Sequence, residues 1–99
     1  MRAESLIEAE AISRKVGHVF MATADPKGVP HVAPGDNMTV GPGPAQVAIE
    51  AWFCPGTVAN LDVNPSIAVI AWDAGEDQGF QVLGWAEKVE DIALLDGMA

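Results

Sequence analysis

The sequence predicts a mainly β (α+β) domain in which five or six short antiparallel strands form a small closed or split barrel with short flanking helices. Apolar runs of strand length alternate along most of the chain with turn signals rich in Gly and Pro. Helical spacing of apolar residues is confined to the two ends and one short insertion. With 99 residues there is room for one core, so residues 1–99 are expected to form a single domain.

The charge balance argues against several classes of partner. The net charge is −9 and the five basic side chains are scattered, so no basic surface for nucleic acid is expected.

The one cysteine, Cys54, allows no internal disulfide and lacks the companions of a zinc site. The sequence shows neither the apolar core of a signal peptide nor the roughly 18 apolar residues of a membrane span. A cytoplasmic protein without a membrane partner is the expectation.

Residues 1–16 are expected to form an amphipathic covering helix. Apolar residues recur at close to helical spacing from Leu6 to Val16, and charged residues take much of the remaining surface. Acidic residues come early and basic residues late, as the helix dipole favours, and Gly17 is placed to end the helix.

Residues 18–33 predict a β-hairpin with its turn at residues 25–28. In that turn the Asp25 carboxylate can accept bonds from backbone N–H groups just ahead, and Gly28 takes the position of positive φ. Two prolines in the second strand have no N–H donor. They are expected at non-hydrogen-bonded or edge positions, and the strand is expected to bend or end near residues 33–35.

The rest of the chain predicts four further extended segments and two short helices. The strands are expected at residues 38–40, 46–53, 66–73 and 79–89, and the helices at residues 57–63 and 91–98. The barrel therefore spans residues 18–90, between the covering helix at residues 1–16 and a short C-terminal helix at residues 91–99.

The predicted strand at residues 66–73 carries apolar side chains on both faces. Ile67 and Val69 lie on one face, and Ile70 and Trp72 lie on the other. One face can fill the barrel, but the other needs cover. Because the helices are few and short, a second copy of the chain is the expected cover, which predicts a homodimer.

Three segments carry the pattern of a known family. They are the opening hairpin at residues 20–34, the stretch of Thr, Asn-Leu and Asn-Pro before an apolar strand at residues 57–69, and the late strand with Gly-x-Ala at residues 79–86. In this order they resemble the pyridoxamine 5′-phosphate oxidase-like family of FMN-binding split β-barrels. The resemblance implies a six-stranded antiparallel split barrel, a homodimer and two FMN molecules at the subunit interface.

The resemblance places the flavin against three parts of the chain, namely the end of the hairpin, the strand that ends at Trp52 and the start of the following helix. The cofactor contacts that it implies are Val32, Ala33, Pro34, Gly35, Asp36, Ala51, Trp52, Gly56, Thr57 and Asn60. No residue is assigned a catalytic role, and no metal ligand is expected.

The chain departs from the family pattern where the phosphate would bind. The family usually has a basic residue just before the Thr, whereas this chain reads Pro55-Gly56 and has no Lys or Arg between Lys27 and Lys88. A helix N-terminus with free N–H groups and the Thr57 hydroxyl can still bind an anion. Without a cation we expect FMN to bind about ten- to a hundredfold more weakly. A deazaflavin or haem in place of FMN is left open.

Several single residues allow two interpretations. Thr57 can bind phosphate or cap a helix, and His31 can contact flavin or substrate or serve only the structure. Trp52 is the best candidate for stacking on a planar ring, whereas Trp72 is expected to pack. Cys54 has no nearby base and is not expected to act as a nucleophile.

Two functions of different classes follow. The first is an FMN-dependent oxidoreductase of unknown substrate, because a flavin needs little acid–base help from side chains. Pyridoxamine phosphate is disfavoured as the substrate, since its phosphate would need further basic residues. The second is a non-catalytic module that binds flavin or another planar ligand, or a ligand-free dimeric scaffold.

Overall fold

The computed structural model describes residues 3–51 and 54–90. The predicted C-terminal helix at residues 91–99 and the predicted site residue Trp52 lie outside the described residues. The described elements are helix α1 (Ala3–Val16), strands β1 (Val19–Ala24), β2 (Pro30–Gly35), β3 (Asn37–Val40) and β4 (Val47–Glu50), helix α2 (Pro55–Val63), and strands β5 (Ser66–Asp73) and β6 (Gln78–Trp85).

The strands form two antiparallel sheets. One sheet has four strands in the order β2-β1-β5-β6, and the other pairs β3 with β4. The chain passes from one sheet to the other at Asp36, whose backbone N–H donates to the carbonyl oxygen of Glu50 at 2.7 Å. Within the described part of the chain, six antiparallel strands divided in this way confirm the predicted split barrel.

The turn between β1 and β2 is built by the chemistry that the sequence predicts. The Asp25 Oδ1 atom accepts hydrogen bonds from the backbone N–H groups of Lys27 and Val29, each at 2.9 Å. Gly28 has a φ of +83°, a conformation that a side chain disfavours. The carboxylate therefore closes the turn and fixes the register of the hairpin.

Both prolines of β2 lie where no donor is needed. The N–H of Asp25 donates to the carbonyl oxygen of Val29 at 3.0 Å, which makes that pair hydrogen-bonded. Hydrogen-bonded pairs alternate along an antiparallel ladder, so the register places Pro30 and Pro34 in non-hydrogen-bonded pairs. Because β2 is also an edge strand, it continues through Pro34 and ends at Gly35, as predicted.

Two strands pair over fewer residues than predicted, because a strand can pair only as far as its partner extends. In β4 pairing ends at Glu50, opposite Asn37 at the start of β3. In β6 pairing ends at Trp85, opposite Ser66 at the start of β5. The Asn-Pro sequence before Ser66 begins β5 there, and β6 therefore ends before the predicted residue 89.

A small buried core joins the two sheets beneath α1. Its members are Ala9, Val19, Met38, Val69 and Ala71, and α1 packs against β3, β5 and β6. The largest fully buried side chains are those of Met38 and Val19. The core thus takes residues from α1 and from both sheets, and its packing fixes how the sheets are arranged.

An ion pair ties the end of α1 to the β5–β6 turn. The Lys15 Nζ atom lies 2.7 Å from Oδ2 of Asp73, and Oδ1 of Asp73 accepts the backbone N–H groups of Gly75 and Glu76. The hydrogen bond from Lys15 lowers the pKa of the Asp73 carboxyl below its usual value. The same hydrogen bond raises the pKa of the Lys15 ammonium.

Replacing Lys15 with Met is expected to lower the free energy of unfolding in a pH-dependent manner. A depressed carboxyl pKa stabilises the fold above the unfolded-state pKa, and the gain is lost as pH falls through the folded pKa. The raised pKa of Lys15 has the opposite pH dependence: the stability that it contributes is lost as pH rises through the pKa of Lys15 in the folded state. Urea titrations should therefore show the largest difference between variant and wild type near neutral pH and a shrinking difference below about pH 4. Lys27→Met, in the exposed hairpin turn, is the control, and an equal loss there would contradict the assignment.

Candidate functional site

The first turn of α2 offers free backbone donors. Cys54 occupies the N-cap position but its side chain makes no capping hydrogen bond, and Pro55 is the first helical residue. Gly56 and Thr57 follow, and the first N–H groups of a helix have no acceptor within it. Thr57 is thus the third residue of the helix, so the interpretation of Thr57 as the helix cap is wrong.

The Thr57 hydroxyl is buried without a partner. The residue is 2% exposed, and its Oγ1 atom has no hydrogen-bond partner among the residues that the structure describes. Leaving a buried polar group unpaired costs about 1–3 kcal/mol, and native structures keep few of them. An unpaired hydroxyl beside free N–H groups is suited to an anionic ligand.

Two contacts fix α2 against the hairpin. The side-chain amide of Asn60 donates to Oγ1 of Thr23 at 3.0 Å. One helical turn earlier, a Cβ added at Gly56 would lie 3.0 Å from Cε1 and 3.1 Å from Nε2 of His31. His31 stands opposite Thr23 in the sheet register. The structure therefore brings together the predicted Gly56, Thr57 and Asn60, and adds Thr23 and His31 to them.

The predicted contacts in β2 do not share one face. Val32 and Pro34 are exposed, whereas Ala33 and Gly35 are buried on the opposite side of the strand. Asp36 is exposed in the bend that follows. A ligand on one side of β2 would therefore meet only some of these five residues through their side chains.

Gly35 serves the close approach of the two sheets. A Cβ at this position would lie 2.9 Å from Cγ2 of Ile49 and 3.0 Å from Cγ2 of Val19. Ala51, another predicted contact, is half-buried just after β4. The role that the structure gives Gly35 is packing.

The four-stranded sheet has a side without charged residues, which we call the outward face. Strand alternation and register place on it residues 30, 32 and 34 of β2, residues 20, 22 and 24 of β1, residues 66, 68, 70 and 72 of β5, and residues 79, 81, 83 and 85 of β6. None of these positions carries a charged side chain, although 19% of the chain is charged. Such a face is typical of a surface that another protein covers.

Large apolar side chains are exposed on the outward face. Leu83 is 67% exposed, Trp85 is 71% exposed and Val32 is 59% exposed. Trp72, which is predicted to pack, is 46% exposed. Its ring packs against the backbone of Gly79, where an added Cβ would lie 2.6 Å from the Cε3 atom of Trp72. The outward face is therefore apolar and also accessible in a single chain.

A shallow groove of about 410 Å³ opens between the four-stranded sheet and Asn64, the residue that follows the C-terminal end of α2. Its lining residues are Ala22, Thr23, Ala24, Asn64, Ser66, Ile67, Ala68, Leu83 and Gly84. Most of these side chains are small, which leaves the groove open between larger neighbours. Four small outward-face positions, at Ala22, Ala24, Ser66 and Ala68, therefore contribute to the groove.

The described residues offer little else that could bind a ligand by charge. In residues 3–51 and 54–90, no three His, Cys, Asp or Glu side chains are grouped so that they could hold a metal ion. Neither described helix is long and apolar enough to cross a membrane. The candidate groups for binding an anion at α2 are its first backbone donors and the Thr57 hydroxyl.

The sequence leaves the role of His31 open and gives no signal for a role of Thr23. Both enter the site because the hairpin register sets them side by side and α2 lies across them. The spacing of Gly56 and Asn60, four residues apart, was the available signal, because such a pair shares one helical face.

Comparison with known proteins adds a family match. The family model described as pyridoxamine 5′-phosphate oxidase matches residues 6–99. The chain resembles the crystal structure of HupZ from Group A Streptococcus, with 22% identity, a TM-score of 0.70, and coverage of 82% of this chain and 63% of that one. The chain thus spans less than two thirds of the length of HupZ.

Two further solved structures share the fold. A candidate pyridoxamine 5′-phosphate oxidase from Lactobacillus delbrueckii is 25% identical, with a TM-score of 0.64 and coverage of 88% of this chain and 67% of that one. HutZ, the haem storage protein of Vibrio cholerae, is 16% identical, with a TM-score of 0.57 and coverage of 99% of this chain and 82% of that one. No curated protein matches the chain.

Proposed function

The chain belongs to the pyridoxamine 5′-phosphate oxidase family, and from that membership we propose that it binds FMN at the N-terminus of α2 in a homodimer and acts as an oxidoreductase. The observation that carries the proposal is the buried, unpaired hydroxyl of Thr57 in the first turn of that helix. The substrate is not defined by any residue of the site.

The residues at the N-terminus of α2 offer hydrogen-bond donors that suit the phosphate of FMN, but none of them is a Lys or Arg. The free N–H groups of Gly56 and Thr57 and the helix dipole favour a phosphate. The space that a side chain at Gly56 would occupy is filled by the His31 ring, so a phosphate would reach these N–H groups from the end of the helix. The absence of Lys and Arg between Lys27 and Lys88 removes charge-assisted bonds, and the expected affinity remains about ten- to a hundredfold below that of a site with a cation.

The outward face supports the homodimer. Two copies of a chain with net charge −9 repel each other, so they would associate through a surface that carries no charge. The outward face meets this requirement and exposes Leu83 and Trp85. A twofold axis through it would place the groove next to Asn64, at the C-terminal end of α2, at the subunit interface.

When bound, FMN supplies the hydride and electron chemistry. The chain's own residues would bind the phosphate through α2, exclude water through the apolar outward face, and orient the ring by packing. None of these tasks needs a catalytic triad.

Titration of the apo-protein with FMN, followed by flavin fluorescence, tests the proposal. We expect saturable quenching at micromolar to hundreds of micromolar FMN, and bleaching of the yellow complex by NAD(P)H or another reductant. No change up to hundreds of micromolar FMN would overturn the flavin site. Binding without any turnover would retain the site and reject the oxidoreductase.

Replacing Thr57 with Val is expected to change stability and binding in opposite directions. Thr and Val have similar helix propensities, and the variant removes an unpaired buried hydroxyl. We expect the apo-protein to gain about 1 kcal/mol in the free energy of unfolding while FMN binding weakens about tenfold. Denaturant titration and FMN titration measure the two effects.

Thr23→Val is the matched control for that substitution. The Thr23 hydroxyl accepts a hydrogen bond from Asn60, so its removal should destabilise the fold by about 1–3 kcal/mol. Two stability changes of opposite sign are thus expected from the same chemical substitution. A Thr57→Val variant that loses stability and keeps its FMN affinity would show that the hydroxyl has a structural partner and no ligand.

A second candidate function is a module that holds haem or another planar ring without turnover. The fold similarity to the haem storage protein HutZ favours this alternative, and a haem site needs no phosphate cradle. Absorption spectroscopy separates the two candidates. A Soret band after addition of haemin, with no fluorescence change on addition of FMN, would favour haem.

A further inference from the structure

We propose that His31 supplies the positive charge that the phosphate site otherwise lacks, so that FMN binding is coupled to protonation of its imidazole. This inference rests on the proposed function and assigns a role to a residue of the same site. It would make FMN affinity rise as pH falls.

The geometry places the His31 ring at the N-terminus of α2. Its Cε1 and Nε2 atoms would lie 3.0 and 3.1 Å from a Cβ at Gly56, the second residue of the helix. His31 is exposed, so the ring is accessible to a ligand. An anion bound to the N–H groups of Gly56 and Thr57 would lie within reach of an imidazole N–H.

No competing charge comes from the elements that surround this ring. Strand β1 carries no titratable side chain, β2 carries His31 alone, and α2 carries only Asp62, near the opposite end of the helix. In the adjoining turn, the Asp25 carboxylate is bonded to backbone N–H groups, and the exposed Lys27 follows it. Cys54 precedes the helix.

The helix dipole makes the coupling directional. The N-terminus of a helix favours an anion, and a phosphate bound there would accept a charge-assisted hydrogen bond from a protonated imidazole beside Gly56. By linkage, protonation strengthens phosphate binding and phosphate binding promotes protonation by the same factor.

The test is FMN binding to the wild type and to His31→Gln across about pH 5 to pH 8, where histidine changes its charge. We expect the wild type to bind about tenfold more tightly than the variant at the acid end, and equally at the alkaline end. The phosphate loses charge at acid pH, with a second pKa of about 6, which by itself weakens binding. This loss affects the wild type and the variant equally. An increase in the ratio of wild-type to variant affinity as pH falls is therefore due to His31.

Riboflavin and His18→Gln are the matched controls. Riboflavin has the same ring without phosphate, so its affinity should not depend on His31. His18 lies at the other end of β1 with its ring 5.1 Å from that of Phe20, and its replacement should leave the pH profile of FMN unchanged. Calorimetry in two buffers of different ionisation enthalpy should show proton uptake on FMN binding by wild type that His31→Gln lacks.

The outcomes separate this inference from the proposed function. If FMN binds and the wild-type to His31→Gln affinity ratio is the same at all pH values, His31 is structural and the flavin site stands. If FMN fails to bind at any pH, both fall. Should His31→Gln not fold, the wild type alone decides, because the ratio of its FMN affinity to its riboflavin affinity should rise as pH falls, and a ratio that stays constant or falls would overturn the inference.

Discussion

Replacing Leu83 with Asp on the outward face is expected to prevent the proposed homodimer from forming and to leave monomers. Leu83 is 67% exposed in a single chain and stands among uncharged neighbours in β5 and β6. In a twofold interface each copy would bury the new carboxylate without a partner. An unpaired buried charge costs about 3 kcal/mol or more, so the dimer dissociation constant should rise at least about a hundredfold.

Light scattering at micromolar concentration measures this effect directly. Ile7→Asp is the control, because Ile7 is 57% exposed on α1 and lies away from the outward face. We expect the control to remain dimeric and Leu83→Asp to be monomeric, with FMN affinity lost together with the interface. A monomeric wild type, or a dimeric Leu83→Asp variant, would refute the assigned interface.

Replacing Met38 with Ala is expected to cause a large loss of stability in the folded subunit. Met38 is fully buried and links the two-stranded sheet to the core shared with α1 and β5. Truncating a buried Met to Ala costs about 2–5 kcal/mol, through lost burial and the cavity that remains. For a domain of this size, that is a large part of the whole free energy of unfolding.

Denaturant titration of three variants isolates the packing effect. Met38→Leu conserves volume and should cost less than about 1.5 kcal/mol. Val29→Ala, at a residue 56% exposed in the hairpin turn, should change the free energy of unfolding by no more than about 0.5 kcal/mol. A Met38→Ala variant as stable as the wild type would mean that the two sheets do not depend on this contact.

The elements that local chemistry determines were predicted well. The hairpin turn follows from Asp25 and Gly28, the end of α1 from Gly17, and the bounds of β5 from the residues that flank it. In each case the deciding interaction spans a few residues, such as the N–H of Gly17 donating to the carbonyl oxygen of Ser13. Such interactions can be inferred from residue types alone.

Features set by distant contacts were not predictable in the same way. The ends of β4 and β6 depend on their partner strands. The contact of His31 with Gly56 depends on the hairpin register and on the path of α2. The sequence predicts Thr57 as a cofactor contact, but its position inside the helix depends on Cys54 and Pro55, which start α2 two residues earlier than predicted.

The close contact of Gly56 with His31 has an evolutionary consequence. A Cβ at residue 56 would lie 3.0 Å from Cε1 of His31, so the imidazole would have to shift to admit it. We therefore expect homologues with a bulky or basic residue at this position to carry a smaller residue in place of the histidine, and homologues with the histidine to carry the glycine. Paired substitution at these two positions is the signature expected among homologues.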